Sequence, residues 1–326
     1  MTDKKNDIEL MRQMHTVLVL HFLEGKKQSD IAELLNLSTS KVNRLITQGR
    51  KMGMVKIDIE NPFQRLTDLE KLLESAASLS RALVTSCVPG SSATTLKQVG
   101  RSAANHLVET IRDGDVIAIT GGKAIGAVVQ NIETDRTFDV TVVPLTGGVQ
   151  GKYYTDVNHL ATQLAERLGG KTMLVHAPLF AESREQRDML MEVASIKQVF
   201  DIARKATVAL VGVGSIRTPG SSYYDLHPMP EADRKMLAGS GVDAEFLAHL
   251  IRQNGTVADF ALNSRLVALR PDELRQCSRV IGVASGEEKV LPIQAVLNGN
   301  HLHSLIVDEE TASAVLATME GAQNVA

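Results

Sequence analysis

The chain has 326 residues with 35 basic and 38 acidic side chains, and its net charge of −3 excludes a general polyanion binder. At 44% hydrophobic and 22% charged it has the composition of a globular protein of about two domains, and no apolar run approaches the roughly 20 residues of a membrane span. Its polar start lacks a signal sequence, and two cysteines, Cys87 and Cys277, are too few for a disulfide framework or a zinc site, so we expect a cytoplasmic protein.

The segment that organises the N-terminal part of the chain is residues 29–56, whose pattern predicts a helix-turn-helix. Apolar residues at helical spacing are followed by a polar turn, and Ser38 at the end of that turn is a suitable N-cap for a second helix. In that helix Val42, Leu45 and Ile46 share one face. The opposite face is short and polar, as in a helix that enters a major groove, and comprises Thr39, Ser40, Asn43, Arg44 and Thr47.

Basic charge is concentrated on the same segment. Residues 39–56 contain no acidic side chain, whereas residues 61–326 hold 25 basic and 30 acidic ones. A local positive charge on a mildly acidic protein is typical of a sequence-specific DNA reader. The alternative is a structural helical hairpin with a solvated basic face. The basic residues are Lys41, Arg44, Arg50, Lys51 and Lys56.

The flanking segments complete a helix-turn-helix DNA-binding domain that we place at residues 1–60. Residues 8–24 carry an apolar stripe that predicts a first helix, and residues 55–60 alternate as an edge strand would. Residues 61–80 predict a linker with a helix whose first turn suits Pro62. This helix either forms a dimer contact or packs on its own domain.

Residues 81–326 change to apolar strands alternating with helices, which indicates an α/β domain with a mostly parallel sheet covered on both faces. Strands are expected at 82–87, 116–120, 140–144, 172–176, 206–213, 280–284 and 305–307. Helices are expected at 95–111, 125–132, 158–168, 188–203, 245–252, 292–297 and 311–319.

Several expected strands end in glycine-containing turns, and in open α/β sheets ligands bind at the carboxyl ends of the strands. The first of these turns runs into a helix whose N-terminus, together with Lys123, would attract an anion. We therefore expect a cleft for a small polar, anionic molecule, although any one such turn is more often only a tight connection. The glycines are Gly121 and Gly122, Gly147 and Gly148, Gly212 and Gly214, and Gly286.

Motifs for other ligand classes are missing from these turns. Residues 212–217 begin like a dinucleotide fingerprint but place Arg217 where the third glycine should be, and neither a phosphate loop nor a nucleophile elbow is present. The nine histidines are scattered, so we assign no metal site, no cofactor and no catalytic residue. Asp259 is a candidate acceptor for sugar hydroxyls, or otherwise a helix cap or surface acid.

Several segments together resemble the sorbitol-operon and deoxyribonucleoside regulator (SorC/DeoR-type) family of bacterial sugar-responsive transcription factors. They are the helix-turn-helix segment, the linker QRLTDLEKLL, the motif PLTGG, the turn VGVGS and the run VIGVASGEEKVLPIQAVLNGNHLHSLIVDEETASAVL. The resemblance extends over nearly the whole chain, and the C-terminal run is its most specific part. The N-terminal half is most similar to regulators of sugar-alcohol operons, an erythritol-operon repressor first among them.

The resemblance implies that residues 81–326 form a Rossmann-like effector-binding and oligomerisation domain of the sugar-phosphate isomerase and CoA-transferase kind. This domain would bind a sugar or sugar phosphate without catalysis. It also implies a homo-oligomer, either a dimer or the tetramer that family members commonly form on DNA. The positions that would face the ligand are the loop Gly121, Gly122, Lys123 and Ala124, the paired glycines Gly147 and Gly148, the cation Lys289 and the acid Asp259.

The first of these loops departs from the family pattern. Gly121, Lys123 and Ala124 stand where the family usually has an aromatic residue, an arginine and a threonine. Loss of the hydroxyl and of the bidentate guanidinium weakens the hold on a phosphate. The effector is therefore expected to be an unphosphorylated polyol, or a phosphate held mainly by Lys289 and the backbone.

Together these features predict a cytoplasmic, DNA-binding transcriptional regulator of a carbohydrate or sugar-alcohol catabolic operon, a repressor rather than an activator, controlled by a sugar, a polyol or its phosphate. Its partners would be double-stranded operator DNA, the small effector and further copies of the chain, with no membrane. Base edges would be read by Ser40, Asn43, Arg44 and Thr47, and phosphates would be held by Lys41, Arg50 and Lys51.

Two other functions remain as alternatives. A sugar-phosphate isomerase or deaminase with an appended helical domain would need a general base beside the anion loop, and these motifs do not supply an acid–base pair. A nucleotide- or redox-sensing repressor is disfavoured by the missing dinucleotide spacing.

Overall fold

The computed structural model describes residues 2–56, 66–149, 156–216, 237 and 240–323, with side chains described from residue 9 to residue 319. The chain divides into two compact units, residues 1–63 and 64–326. The domain limits expected at residues 60 and 80 stay a prediction. Among the described helices, none combines the length and the apolar character that crossing a membrane requires.

The first unit is built from helices packed around a small apolar core. α1 (Thr2–Leu18) runs into a π-helical turn (Val19–Leu23), followed by α2 (Gln28–Leu34) and α3 (Thr39–Lys51). Residues 57–60, in which most of the edge strand was expected, lie outside the described part of the chain. The core consists of Met14, Val17, Leu18, Leu20, Ile31, Ala32, Val42, Leu45 and Ile46.

The turn between α2 and α3 sets the start of the second helix through local hydrogen bonds. Asn36 has a φ of 51°, a left-handed conformation that asparagine adopts more readily than most residues. The Leu37 N–H donates to the Ala32 carbonyl at 2.8 Å. The Ser38 side chain accepts from the Lys41 N–H at 3.2 Å, as an N-cap does.

The second unit contains the α/β layers. Its helices are α4 (Thr67–Ala77), α5 (Ser92–Thr110), α6 (Lys123–Gln130), α7 (Val157–Leu168), α8 (Arg184–Glu192), α9 (Ala194–Ala203), α10 (Ala261–Ser264), α11 (Val290–Asn298) and α12 (Glu309–Gln323). Its strands are β1 (Arg81–Thr85), β2 (Val116–Ile119), β3 (Thr141–Pro144), β4 (Lys171–Thr172), β5 (Val208–Gly212), β6 (Gly214–Ser215), β7 (Val242–Phe246), β8 (His249–Arg252), β9 (Arg279–Val283) and β10 (Ser304–Asp308).

In the described part of this unit, seven strands form a parallel sheet in the order β1-β10-β9-β5-β2-β3-β4, and β6, β7 and β8 form a small antiparallel sheet. Alternate strand residues enter different apolar clusters. Ala118 belongs to one cluster, and its neighbours Ile117 and Ile119 belong to another. The large sheet is therefore buried on both faces, which explains its continuous apolar strands.

The strand order reverses between β2 and β5. From β2 the chain moves outward to β3 and β4, and from β5 it moves the other way to β9 and β10. Loops that leave two such neighbouring strands turn to opposite sides, which opens a crevice at their carboxyl ends. The glycine turns after β2 and β5 both lie at this crevice.

Some expected elements differ from the structure. Residues 245–252 form the hairpin β7–β8 instead of a helix, because Leu247 and Ala248 take φ values of 52° and 63°, the backbone of a two-residue hairpin turn. The strand expected at 172–176 is shortened to β4. The helix expected at 188–203 is broken at Val193 into α8 and α9.

The linker helix α4 packs on the second unit. Leu73 is fully buried in the main core. The Glu70 and Glu74 carboxylates accept hydrogen bonds from the Val84 and Ala82 N–H groups of β1, at 3.0 and 2.9 Å. On the outer face of α4, Leu72 is 55% exposed, and the dimer contact expected of this helix stays a prediction.

Replacing Glu70 by alanine is expected to lower the free energy of unfolding by about 1–3 kcal/mol, because the Val84 N–H would be buried without an acceptor. Glu70→Gln keeps an acceptor oxygen, so its free energy of unfolding should fall clearly less than that of Glu70→Ala. Urea midpoints of the two variants and of the parent measure this. Equal midpoints for Glu70→Ala and the parent would show that this hydrogen bond does not stabilise the fold.

Candidate functional site

The residues expected to contact DNA share the solvent side of α3. Val42, Leu45, Ile46 and Gly49 are buried, and a Cβ at Gly49 would lie 2.6 Å from a methyl carbon of Leu18, so glycine lets α1 and α3 approach closely. Lys41 is half-buried. The exposed members of the set are Thr39, Ser40, Asn43, Arg44, Thr47, Arg50 and Lys51.

Side chains on this face differ in how firmly they are held. The Thr47 hydroxyl donates to the Asn43 carbonyl at 2.9 Å, and the Arg50 guanidinium lies 5.1 Å from the centroid of the Phe22 ring. Within the described parts of the chain, no hydrogen bond engages the side chains of Asn43 or Arg44. Both are therefore available to base edges, while Arg50 is oriented by a cation–π contact.

The loop after β2 presents a helix N-terminus to the crevice. Gly122, the N-cap of α6, has a φ of 116°, which only glycine adopts without strain. The first backbone bond of α6 runs from the Gly126 N–H to the Gly122 carbonyl at 2.9 Å. The first amides of a helix have no acceptor within the helix, so the N-terminus of α6 is a favourable position for an anion.

The loops after β2 and β5 are held together at the reversal of strand order. The Gly212 N–H donates to the Thr120 hydroxyl at 3.1 Å, and a Cβ at Gly212 would lie 3.9 Å from the Gly121 carbonyl oxygen. The two glycine turns therefore form one wall of the crevice.

Glu245 of β7 is a site residue that the sequence analysis missed. A Cβ at Gly214 would lie 2.0 Å from a carboxylate oxygen of Glu245, so glycine at this position makes room for the acid. The Ala248 N–H donates to the other carboxylate oxygen at 2.6 Å. Burial raises the pKa of Glu245, against the opposing effects of that hydrogen bond and of the charge of Lys289.

Lys289 lies close enough to Glu245 and Lys123 for their charges to interact. It ends the 3₁₀ turn Glu287–Lys289 after β9, and this turn contacts β6. Burial lowers the pKa of Lys289, and the neighbouring charge of Lys123 lowers it further, while Glu288 and Glu245 act in the opposite direction. The cluster formed by Lys123, Glu245 and Lys289 can therefore offer cationic donors to an anion and a carboxylate acceptor to a hydroxyl.

Asp308 at the end of β10 positions the turn that carries Lys289. Its carboxylate is 2% exposed and accepts from the Gly286 N–H at 3.1 Å and from the Thr311 N–H and hydroxyl at 2.9 and 2.7 Å. Cys87 donates to it at 3.3 Å. Burial acts to raise the pKa of Asp308, but hydrogen bonds from Thr311 and its neighbours outweigh burial and lower it.

Gly147 and Gly148 are tied to neighbouring backbone. The Gly147 N–H donates to the Val267 carbonyl at 2.7 Å, and the Gly148 N–H donates to the Ala177 carbonyl at 2.8 Å. A Cβ at Gly147 would lie 2.6 Å from the Pro178 carbonyl oxygen. This close backbone approach requires glycine at position 147, whereas a Cβ at Gly148 would meet no atom closer than 3.6 Å. The amides of both glycines are already bonded and are not free for a ligand.

Asp259 lies on a different cavity, of about 350 Å³, together with Arg184, Arg187, His249 and Arg270. None of the other expected effector residues lines this cavity. The structure thus brings Gly121, Gly122, Lys123, Ala124 and Lys289 together with Glu245 and places Asp259 elsewhere. Within the described residues, no cluster of histidine, cysteine and acidic side chains has the arrangement of a metal site.

Two protein-family models match the chain. Residues 61–317 match the family described as "Putative sugar-binding domain", and residues 9–52 match the family described as "Sigma-70, region 4". The first match covers more than half of the chain and contains the whole crevice, and the second contains α2 and α3.

Full-length relatives share both parts. The chain is 30% identical over 308 residues to the erythritol catabolism regulatory protein EryD of Brucella abortus, which covers 93% of this chain and 95% of that protein. It is 27% identical over 319 residues to the sorbitol operon regulator of Klebsiella pneumoniae, covering 96% and 99%. The crystal structure of full-length SorC from Klebsiella pneumoniae matches with a TM-score of 0.72 at 26% identity, covering 94% of this chain and 98% of that one.

Replacing Asp308 by asparagine is expected to lower the stability at neutral pH by roughly 1–3 kcal/mol, because an amide cannot accept all these hydrogen bonds. The folded pKa of Asp308 lies below its ordinary value of 3.8, so its stabilisation is complete above that value and is lost as the pH falls through the folded pKa. The difference in free energy of unfolding between Asp308→Asn and the parent should therefore become smaller at acidic pH. Unfolding at pH 7 and at pH 3 measures it.

Asp139→Asn is the matched control, since Asp139 pairs with Lys171 at 3.6 Å on the surface with both side chains about four-fifths exposed (78% and 81%). Exposed pairs contribute little. If Asp308→Asn loses the same free energy of unfolding at both pH values, the role given to the charge of Asp308 is contradicted.

Proposed function

The chain belongs to the SorC/DeoR-type family of DNA-binding, sugar-responsive transcriptional regulators that carry the sugar-binding domain, and we propose that it represses a sugar-alcohol catabolic operon until a polyol or its phosphate binds the crevice. The observation that carries this proposal is the convergence of the α6 N-terminus with Lys123, Glu245 and Lys289 at the reversal of strand order. The same domain carries no catalytic role in this proposal.

The DNA side of the proposal rests on α3. Its buried face and its Ser38 cap fix the helix, and its other face exposes polar and basic side chains. In the proposal Ser40, Asn43, Arg44 and Thr47 contact base edges. Lys41, Arg50 and Lys51 contact phosphates, which position the helix without reading sequence.

The effector side rests on the chemistry of the cluster. A polyol offers hydroxyl donors to the Glu245 carboxylate and hydroxyl acceptors to Lys289 and to the first amides of α6. A phosphorylated polyol would also attract both lysines and offset the repulsion between their like charges. Similarity to the erythritol and sorbitol regulators supports a sugar alcohol as the parent compound.

Regulation requires that the effector bind one state of the protein more tightly than another. A ligand that bound the operator-competent and operator-free states equally would change nothing. We propose a dimer or tetramer whose paired DNA-binding units bind operator half-sites, with effector binding favouring an arrangement that does not fit the operator.

Arg44→Ala is expected to weaken binding to the operator by about 1–3 kcal/mol while leaving binding to unrelated DNA nearly unchanged, because base contacts carry the specificity. Lys51→Ala should weaken both and reduce the salt dependence by about one counterion. Arg12→Ala, an exposed arginine on α1, is the control. Titrations of labelled duplexes at several salt concentrations test this, and unchanged operator affinity for Arg44→Ala would remove α3 as the reader.

Lys289→Met is expected to abolish stabilisation by the effector without changing operator affinity in its absence. A polyol or polyol phosphate at 100 times its Kd should add about 2.7 kcal/mol to the parent protein. Thermal-shift measurements with erythritol, sorbitol and their phosphates provide the test. Lys171→Met, a lysine whose side chain is 81% exposed, should respond like the parent, and an unchanged response of Lys289→Met would place the effector outside the crevice.

A further inference from the structure

A second polar cavity lies in the effector unit, apart from the crevice. Its volume is about 350 Å³, within the range of small-molecule sites. Arginines from two distant segments line it, Arg184 and Arg187 of α8 and Arg270 before the 3₁₀ turn Pro271–Leu274. Asp259 is the acidic side chain in the lining. The side chains that line the cavity therefore carry more positive than negative charge, and the arginines also pair with Asp188 and Asp272 outside the lining.

The guanidinium groups have donors left for a ligand. Arg187 donates through Nε to the Leu266 carbonyl at 3.1 Å and through Nη1 to Asp188 at 2.7 Å. Arg270 donates through Nε to Asp272 at 3.0 Å. A guanidinium carries five N–H donors, so Nη2 of Arg187 and both terminal nitrogens of Arg270 are not used by these bonds.

His249 adds an acceptor at the buried end of the cavity. It is 3% exposed, and its Nδ1 lies 2.8 Å from the Leu247 carbonyl oxygen, which can only accept. Nδ1 therefore carries the proton, and Nε2 is an acceptor. Burial, with smaller effects of Arg270 and Arg187, lowers the pKa of His249 to about 4, so the ring is neutral at physiological pH.

Asp259 provides a second acceptor. It is exposed, and no hydrogen bond or ion pair engages its carboxylate among the described residues. Asn263, also in the lining, is held by three hydrogen bonds to the backbone of Leu250 and Ala258 and forms a rigid part of the wall. The lining thus combines arginine donors for an anion with two acceptors for hydroxyl groups.

We propose that this cavity binds a small polyhydroxy anion, with Arg187 and Arg270 holding its carboxylate or phosphate and with His249 and Asp259 accepting hydrogen bonds from its hydroxyls. A bidentate guanidinium pairs with either oxyanion. A neutral polyol would leave the remaining N–H donors of Arg187 and Arg270 without an anionic acceptor, and an anion without hydroxyls would leave His249 Nε2 without a donor. The site is separate from the proposed effector crevice, and the proposal does not depend on that crevice being occupied.

The test is calorimetric titration of the full-length protein with D-gluconate, glycerol 3-phosphate, inorganic phosphate and erythritol. Gluconate or glycerol 3-phosphate should bind the parent, and Arg270→Met should weaken that binding at least tenfold. Arg136→Met is the matched control, because Arg136 also pairs with an aspartate, Asp113, at 2.9 Å on the surface. Which of the two anions binds more tightly identifies the anionic group.

Asp259→Asn separates recognition of the hydroxyls from recognition of the charge. It should weaken gluconate or glycerol 3-phosphate severalfold and leave inorganic phosphate unchanged or slightly tighter, since it removes a like charge. As an exposed side chain without a partner, Asp259 can change without unfolding the protein. Arg187→Met, checked for folding by circular dichroism, should reproduce the effect of Arg270→Met.

Lys289→Met distinguishes this site from the crevice. Loss of anion binding in Arg270→Met but not in Lys289→Met supports the second cavity, whatever the operator and polyol experiments show. Loss in Lys289→Met with retention in Arg270→Met would assign the anion to the crevice and overturn the proposal. Failure of both hydroxylated anions to bind the parent at millimolar concentration would overturn it as well.

Discussion

The reversal of strand order between β2 and β5 is the constraint on which the rest of the effector unit depends. Right-handed crossovers carry the loops after these strands to opposite faces of the sheet, so the crevice between them cannot be filled by the connections themselves. The hydrogen bond between Thr120 and Gly212 holds the two strand ends together. Another side of the crevice comes from β7, where Gly214 leaves room for Glu245.

This arrangement buries the charged side chains of Lys289 and Glu245, which is unfavourable in the absence of a ligand. Lys289 and Glu245 lose hydration, and the attraction between them repays only part of that loss. Lys123 makes the balance worse by repelling Lys289. A bound anion would offset the repulsion between the two lysines, and the hydroxyls of a polyol could donate hydrogen bonds to the Glu245 carboxylate. A ligand in the crevice would therefore act on the turns after β2 and β9 and on the β7–β8 hairpin, which carry these three side chains.

Local patterns predicted α3 and most of the parallel strands correctly, because capping by Ser38 and continuous apolar runs are decided within a few residues. The helix predicted at residues 245–252 was wrong because Phe246, Leu250 and their apolar neighbours also fit helical spacing. The turn of the hairpin lacks the glycine or asparagine that would indicate a hairpin in the sequence. That error hid Glu245. Asp259 lines a cavity together with residues of α8, some seventy residues away in sequence. A local sequence pattern therefore could not predict the surroundings of Asp259. The sequence shows the chemical type of each residue, whereas the residues that surround it in the fold could not be predicted from local patterns.

The two carboxylates of α4 have a consequence for solubility. β1 is an edge strand, and an edge strand offers unpaired N–H groups to any other strand that approaches, including that of a second copy. Glu70 and Glu74 occupy the Val84 and Ala82 amides and place negative charge along that edge. The helix that leads from the DNA-binding unit therefore also shields the sheet from edge-to-edge aggregation. Detachment of α4 would expose these two N–H groups of β1 to strands of other molecules, so the docked helix protects the solubility of the domain as well as its stability.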